Sequence, residues 1–344
     1  MSLAQGAAIF GCDGLTLAAS ERDFHRDADP FGFILFARNI ENPDQVRRLT
    51  GDLRASVGRD APVFVDQEGG RVQRLRPPHW RDWPAPLDMV AQVMALAPDR
   101  ALEAAERALW LRYRIIAAEL LAVGIDGNCA PCADVLSAVT HPFLRNRCYS
   151  DDPYAVAGLA RAVAAAHLAG GVLPVIKHMP GHGRANADTH HDLPTVTASA
   201  EVLEATDFVP FRALRALPLA MTAHIVFSAF DDAPATCSAA MIKVIRDSIG
   251  FGGLLMSDDI GMQALPGTKA ERAAAAIAAG CDVVLECNGD LSERVAVAAA
   301  AGTMTAAAQA RADAALAARH PPEPADLAGL EAELSGLAAG ACHV

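Results

Sequence analysis

A (β/α)8 barrel of the TIM type is the fold the sequence predicts, and three observations carry it. Eight short apolar runs recur along the 344 residues, helical patterns lie between them, and no change of composition marks a linker. The main rival, an open doubly wound sheet, lacks its fingerprints: no G-x-G-x-x-G follows the first run, and no G-x-x-x-x-G-K-[ST] occurs anywhere.

The runs are Ala7 to Cys12, Gly32 to Phe36, Pro62 to Asp66, Gly124 to Cys129, Val172 to Lys177, Leu219 to Ala223, Gly253 to Ser257 and Asp282 to Glu286. Each is short, and none alternates strictly, as strands covered on both faces should read. Asn42 before Pro43 is an N-cap followed by a proline at the first helical position, and Val46, Leu49, Leu53 and Val57 then mark one apolar face. A long pattern from Pro98 to Val123 stops at Gly124, and another opens at Asp152-Pro153 and runs to Gly170. Further helices fit Ser199 to Leu217, where Pro210 can divide it, then Ser238 to Ile249, Lys269 to Ala279 and Leu291 to Ala300. The Ala-rich stretch from Ala306 to Arg319 adds a helical C-terminal tail, so that one domain spans 1–344, with a core of about 7–300 and a tail of about 301–344.

Composition then removes several classes of function. With 29 Lys+Arg against 41 Asp+Glu, the net charge of −12 repels polyanions, so nucleic acid is not an expected partner. No run of about 18 uncharged apolar residues exists to span a membrane, and the first ten residues lack the basic and apolar segments of an export signal. Eight scattered cysteines do not form a disulfide framework, so reduced thiols and a cytoplasmic setting are expected. Cys129 and Cys132 form a single C-x-x-C with no second pair, which reads as two buried thiols and not as a zinc or redox site.

In such a barrel the site forms where the strands end, so the polar residues closing each apolar run are informative. Run three closes in Asp66-Gln67-Glu68-Gly69-Gly70-Arg71, run five in Lys177-His178, run six in His224 and run seven in Asp258-Asp259. The stretch after run five is the densest: Gly181-His182-Gly183 is followed by Asp188-Thr189-His190, a carboxylate two residues from an imidazole. Such a pair is a proton-transfer device. Its spacing matches neither H-E-x-x-H nor a Cys/His zinc pattern, and no metal or cofactor is expected. Asp258, at the mouth of a buried strand, can meet an electrophile, which suits glycosyl transfer through a covalent intermediate. His190, tuned by Asp188, is then the candidate to protonate the leaving oxygen and activate water.

The set V-D-Q-E-G-G-R-V-Q-R (65–74), N-R-C-Y-S-D-D-P (146–153), K-H-M-P-G-H-G (177–183) with D-T-H (188–190), M-T-A-H (221–224) and S-D-D (257–259) resembles glycoside hydrolase family 3. Within it, the match is to the single-domain bacterial β-N-acetylhexosaminidases, in order from about residue 7 to 290. The resemblance implies a nucleophile at Asp258, an acid/base at His190 with Asp188 as its partner, and substrate-binding roles for Asp66, Arg74, Arg147, Lys177 and His178. It also implies a substrate carrying a terminal non-reducing N-acetylglucosamine, such as a muropeptide in cell-wall recycling, and a monomeric enzyme. A β-glucosidase of the same family and a metal-dependent barrel hydrolase are the alternatives. Asp259 and Glu286 are rival carboxylates; strand alternation should turn Asp259 away from the mouth. His182, between two glycines, is as suited to brace the backbone as to touch substrate.

Overall fold

The computed structural model describes residues 4–185 and 192–339. Eight parallel strands close a barrel, each beside its neighbour in sequence: β1 (Gly6–Gly11), β2 (Pro30–Leu35), β3 (Val63–Val65), β4 (Gly127–Asn128), β5 (Leu173–Met179), β6 (Leu219–Thr222), β7 (Leu254–Asp259) and β8 (Val283–Glu286), with β8 returning to β1. All eight expected runs are strands. Their side chains fill the interior and the layer beneath the helices: Ile9, Leu35, Val63, Val65, Val175 and Leu254 are fully buried.

β4 is shorter than its apolar run suggests because a side chain takes over part of its pairing. The amide of Asn128 accepts the N–H of Gln67 at 3.0 Å and donates to the Gln67 carbonyl at 3.1 Å, copying a strand neighbour where β3 has ended. Gly127 beside it cannot carry a side chain, since a Cβ there would lie 2.2 Å from the ring of Phe64.

Most helices fall where the sequence places them, among them Pro43–Val57, Ala101–Leu121, Pro153–Ala169, Lys269–Ala279 and Leu291–Ala301. Pro210 does divide its stretch, into Ala200–Ala205 and Val209–Ala213. The stretch expected as one helix from Ser238 forms Ala239–Lys243 and then widens into a π turn over Val244–Ser248. Ala19–Ala28 is a helix the sequence reading does not contain. No side chain caps its start; Glu21 reaches back to the N–H groups of Asp13 at 2.9 Å and Ala18 at 3.1 Å, a signal invisible without the turn that brings them together. Pro86–Leu96 and Leu327–Ala338 were also unassigned as individual helices.

The C-terminal helices are tied to the barrel by charge. At the rim where β8 begins, Asp282 accepts from the N–H of Leu255 at 2.9 Å, from Arg246 at 2.7 Å and from Arg311 of the helix Ala306–Ala317 at 2.5 Å. Ahead of β4, Asp126 accepts from Val63 N–H and Arg54, and it also pairs with Arg319. Further on, Arg107 holds Glu333 of the helix Leu327–Ala338 through two bonds of 2.7 Å. Because Asp282 is buried, deleting it strands two arginines beside a low-dielectric wall. Asp282→Ala is expected to lose on the order of 3–5 kcal/mol in urea unfolding. Removal of the exposed Asp44 partner of Arg47 should change stability by less than about 1 kcal/mol in the same assay.

Candidate active site

The strand ends opposite those aspartates carry a different set of charges. β3 runs out at Val65, so Asp66 opens the mouth and Glu68 turns inward on a short hairpin pairing Gln67–Gly69 with Val72–Gln73. β5 delivers Lys177 and His178, the loop after β4 delivers Arg147, and β7 ends on Asp258. All six predicted site residues that the structure describes, Asp66, Arg74, Arg147, Lys177, His178 and Asp258, line one cavity of about 320 Å³. Asp188 and His190 lie outside the described residues.

Lys177 is 2% exposed, and such a cation survives only with partners. Its Nζ donates to Asp66 at 2.8 Å and approaches Glu68 at 2.7 Å. Arg147 closes the cluster with two bonds to Glu68, of 2.9 and 2.8 Å, and Arg74 reaches the other oxygen of Asp66 at 3.1 Å. Burial opposes charge on both acids, but Lys177 with Arg74 on one and Arg147 with Lys177 on the other overcome it: Asp66 stays well below the carboxylate range and Glu68 is held down to about 2. Burial likewise opposes the ammonium of Lys177, and the two carboxylates raise it well above its ordinary value. Glu68, to which the sequence reading gave no site role, thus links two buried cations, Lys177 and Arg147.

Asp258 accepts the N–H of Asp259 at 2.8 Å. Burial would raise its carboxyl, but His224, His178, that N–H and Lys177 outweigh it and hold the group below its ordinary range. Asp259 is shifted the other way, chiefly by burial, with the Asp258 charge adding to it. Contrary to strand alternation, both aspartates line the cavity. The pairing of β7 with β8 slips between Met256 and Asp259, which breaks the two-residue period at that point. Asp259 is nevertheless occupied: its oxygens take the N–H groups of Gly261 at 2.9 Å and Cys287 at 3.2 Å, and the amide of Asn288 at 3.3 Å. Glu286, the buried last residue of β8, pairs with Lys269 at 3.1 Å and does not line the cavity.

Sequence reasoning assigned no role to His224. Its Nε2 lies 3.0 Å from the Asp259 carbonyl, an acceptor only, so that nitrogen carries the proton, while Nδ1 meets the hydroxyl of Thr236 at 2.7 Å. Burial lowers its pKa, and the ring braces the end of β7 through these two contacts. A signal for this existed in the M-T-A-H ending of run six. Among the described residues one trio, Cys132, Asp134 and His178, could offer ligands to a metal. The neighbouring Cys148 thiol and burial push the Cys132 thiol well up, so ligation there would have to displace its proton. The C-x-x-C cysteines are free and buried, as expected.

A closed barrel whose mouth gathers an ionised aspartate and paired hydrogen-bonding charges defines an enzyme that handles a polar, hydroxyl-rich substrate. The chain belongs to glycoside hydrolase family 3: residues 21–317 match the Glycosyl hydrolase family 3 N terminal domain. It is therefore a glycoside hydrolase. A β-hexosaminidase of Alkalilimnicola ehrlichii is 40% identical over 288 residues, covering 82% of this chain and 81% of that protein. NagZ from Neisseria gonorrhoeae in complex with zinc ion superposes with a TM-score of 0.83 at 31% identity, covering 99% of both chains. The same enzyme in complex with N-trifluoroacetyl-D-glucosamine superposes with a TM-score of 0.78 at 30% identity and the same coverage.

The buried acids make the site sensitive to low pH in a defined direction. Glu68 has a folded pKa below its unfolded value near 4.5, so its stabilisation is complete above about pH 5 and is lost as pH falls toward 2. Urea unfolding measured across that window should show a shallower loss of stability in Glu68→Gln than in the wild type. Glu68→Gln should also raise KM, because Lys177 and Arg147 lose their shared anchor.

Proposed function

We propose that the chain is a retaining β-N-acetylhexosaminidase that removes a terminal non-reducing N-acetylglucosamine, with muropeptides as the natural substrate class. It would work as one catalytic unit over residues 1–344, as a monomer, in the cytoplasm. The observation that carries this reading is the ionised Asp258 facing a cavity whose cations Lys177, Arg74 and Arg147 are engaged by Asp66 and Glu68. A carboxylate so placed is free to attack, while Asp66, Arg74, Arg147, Lys177 and His178 supply directional hydrogen bonds to sugar hydroxyls. At about 320 Å³ the cavity lies at the small end of small-molecule sites, which run from roughly 300 to 1,000 Å³, and suits a single sugar ring. The N-acetylglucosamine analogue bound by the Neisseria gonorrhoeae enzyme supports the same substrate class.

The reaction runs in two displacements. Asp258 attacks the anomeric carbon, forming a glycosyl ester, as His190 gives its proton to the departing glycosidic oxygen. Neutral His190, paired with Asp188, then takes a proton from water as that water cleaves the ester, which restores Asp258 and keeps the anomeric configuration. No step needs a metal.

Enzyme incubated with an aryl β-N-acetylglucosaminide should release the aglycone in the presence of EDTA and act far less on the aryl β-glucoside. Loss of activity to the chelator would favour a metal-dependent hydrolase, and preference for the glucoside a β-glucosidase. Asp258→Ala should abolish turnover of every substrate, and a slow fluorinated sugar should leave a mass adduct on the Asp258 peptide of the wild type. His190→Ala should slow natural substrates by about 10²- to 10⁴-fold while sparing aryl glycosides with good leaving groups, since these need little proton donation. Equal losses on both substrate types would remove His190 from the acid/base role.

A further inference from the structure

Asp134 stands in the loop after β4, fully buried and outside the cavity lining. Its carboxylate is saturated with donors. One oxygen accepts the backbone N–H of His178 at 3.2 Å and of His182 at 2.7 Å; the other meets Nδ1 of His178 at 2.8 Å and the thiol of Cys132 at 3.2 Å. An ionised carboxylate has about four such positions and all are used. Burial opposes its charge, but His178, His182 and these donors hold the group well below the usual range, so it can only accept. The proton on the His178 ring must then sit on Nδ1. On the other side, Nη2 of Arg147 lies 3.3 Å from Nε2 of His178, and a guanidinium can only donate. Both neighbours therefore require the same tautomer.

The same loop grips the start of the segment that leads to Asp188 and His190. Ser137 donates to the carbonyl of Gly183 at 3.0 Å, the hydroxyl of Thr140 donates to it as well, and the N–H of His141 meets the Ala185 carbonyl at 3.1 Å. Gly183 has to be glycine, because a Cβ would lie 1.7 Å from the carbonyl oxygen of Val135.

We propose that Asp134 is a positioning residue for the glycosidase reaction: it fixes His178 as the Nδ1–H tautomer, so that Nε2 presents its single lone pair on the cavity side, where a sugar hydroxyl would take it in exchange for the Arg147 guanidinium, and it anchors His182 at the root of the segment that leads to Asp188 and His190. The role in catalysis rests on the sugar-binding reading of the cavity; the tautomer does not. Asp134→Asn separates the two functions. The remaining oxygen can keep both backbone N–H groups, while the new amide nitrogen donates to Nδ1 and moves the ring proton to Nε2, where it opposes Arg147.

Enzyme labelled with 15N-histidine, with the His178 signals assigned by a His178→Gln variant, tests this at about pH 8, where an ordinary imidazole is neutral. The wild type should show a protonated Nδ1 and a bare Nε2, and Asp134→Asn the reverse. With an aryl β-N-acetylglucosaminide, Asp134→Asn should lose on the order of 10²-fold in kcat/KM, the scale of losing an orienting partner to a functional histidine. In a His178→Gln background the same change should cost less than about threefold, because the two residues act as one unit. A wild-type ring protonated on Nε2, or an equal loss in both backgrounds, overturns the proposal. The wild-type spectrum decides the tautomer even if Asp134→Asn fails to fold. If the wild type cleaves no aryl β-N-acetylglucosaminide, the hexosaminidase reading fails while the tautomer result stands by itself.

Discussion

Burying Lys177 beneath the mouth of the barrel sets the terms for everything around it. An ammonium at 2% exposure would lose its proton without compensating charge, and the chain supplies two carboxylates within 3 Å of it. Those carboxylates in turn need more positive charge than one lysine offers, and Arg147 and Arg74 provide it. The result is a closed set of charges in which each side chain has little freedom to turn. A ligand that meets it finds donors and acceptors already aimed, and avoids much of the ordering cost of polar recognition.

That closure also bears on the proposed role of Asp258. Had Lys177 or Arg147 been unpaired, either would have formed a salt bridge with the next available carboxylate, and Asp258 lines the same cavity. Asp66 and Glu68 occupy the cations first. Among the described residues, Asp258 has the backbone N–H of Asp259 as its direct hydrogen bond, with Lys177 acting at a greater distance. Among the described residues it is charged without an ion pair, the condition that the proposed nucleophilic role needs.

Much of this was legible before any coordinates, for reasons that differ by residue. Barrel strands announce themselves as apolar runs, and the fold rule that sites gather at strand ends pointed to Asp66, Lys177, His178 and Asp258 directly. Arg147 lies in no strand and depended on the N-R-C-Y motif. Asp134 and Glu68 escaped, or were set aside, because a buried acid looks the same in sequence whether it braces a turn or orients a ring; only the 2.8 Å contacts of each separate the cases. Asp259 was misjudged because alternation assumes a regular strand, and the slip against β8 is not encoded in any local pattern. The helix Ala19–Ala28 was missed because its start is secured by Glu21 and not by a cap residue.

The layout divides labour between two kinds of element. The proposed sugar-binding groups stand on strand ends or on loops tied to them by buried charge, where positions are set by the barrel itself. The expected proton shuttle, Asp188 and His190, belongs instead to the stretch after β5, whose described root is held by Asp134, Ser137, Thr140 and, through Arg184, Asp207 at 2.6 Å. Two jobs for the acid/base, donation to one oxygen and removal of a proton from another, fall at different moments of the cycle. A nucleophile must hold its aim through both, whereas the shuttle has to serve a leaving group and then a water arriving in its place. On the proposed mechanism, the attacking group stands on a strand end and the shuttle on the stretch that follows the root at Gly183–Ala185, so a single histidine could serve both moments.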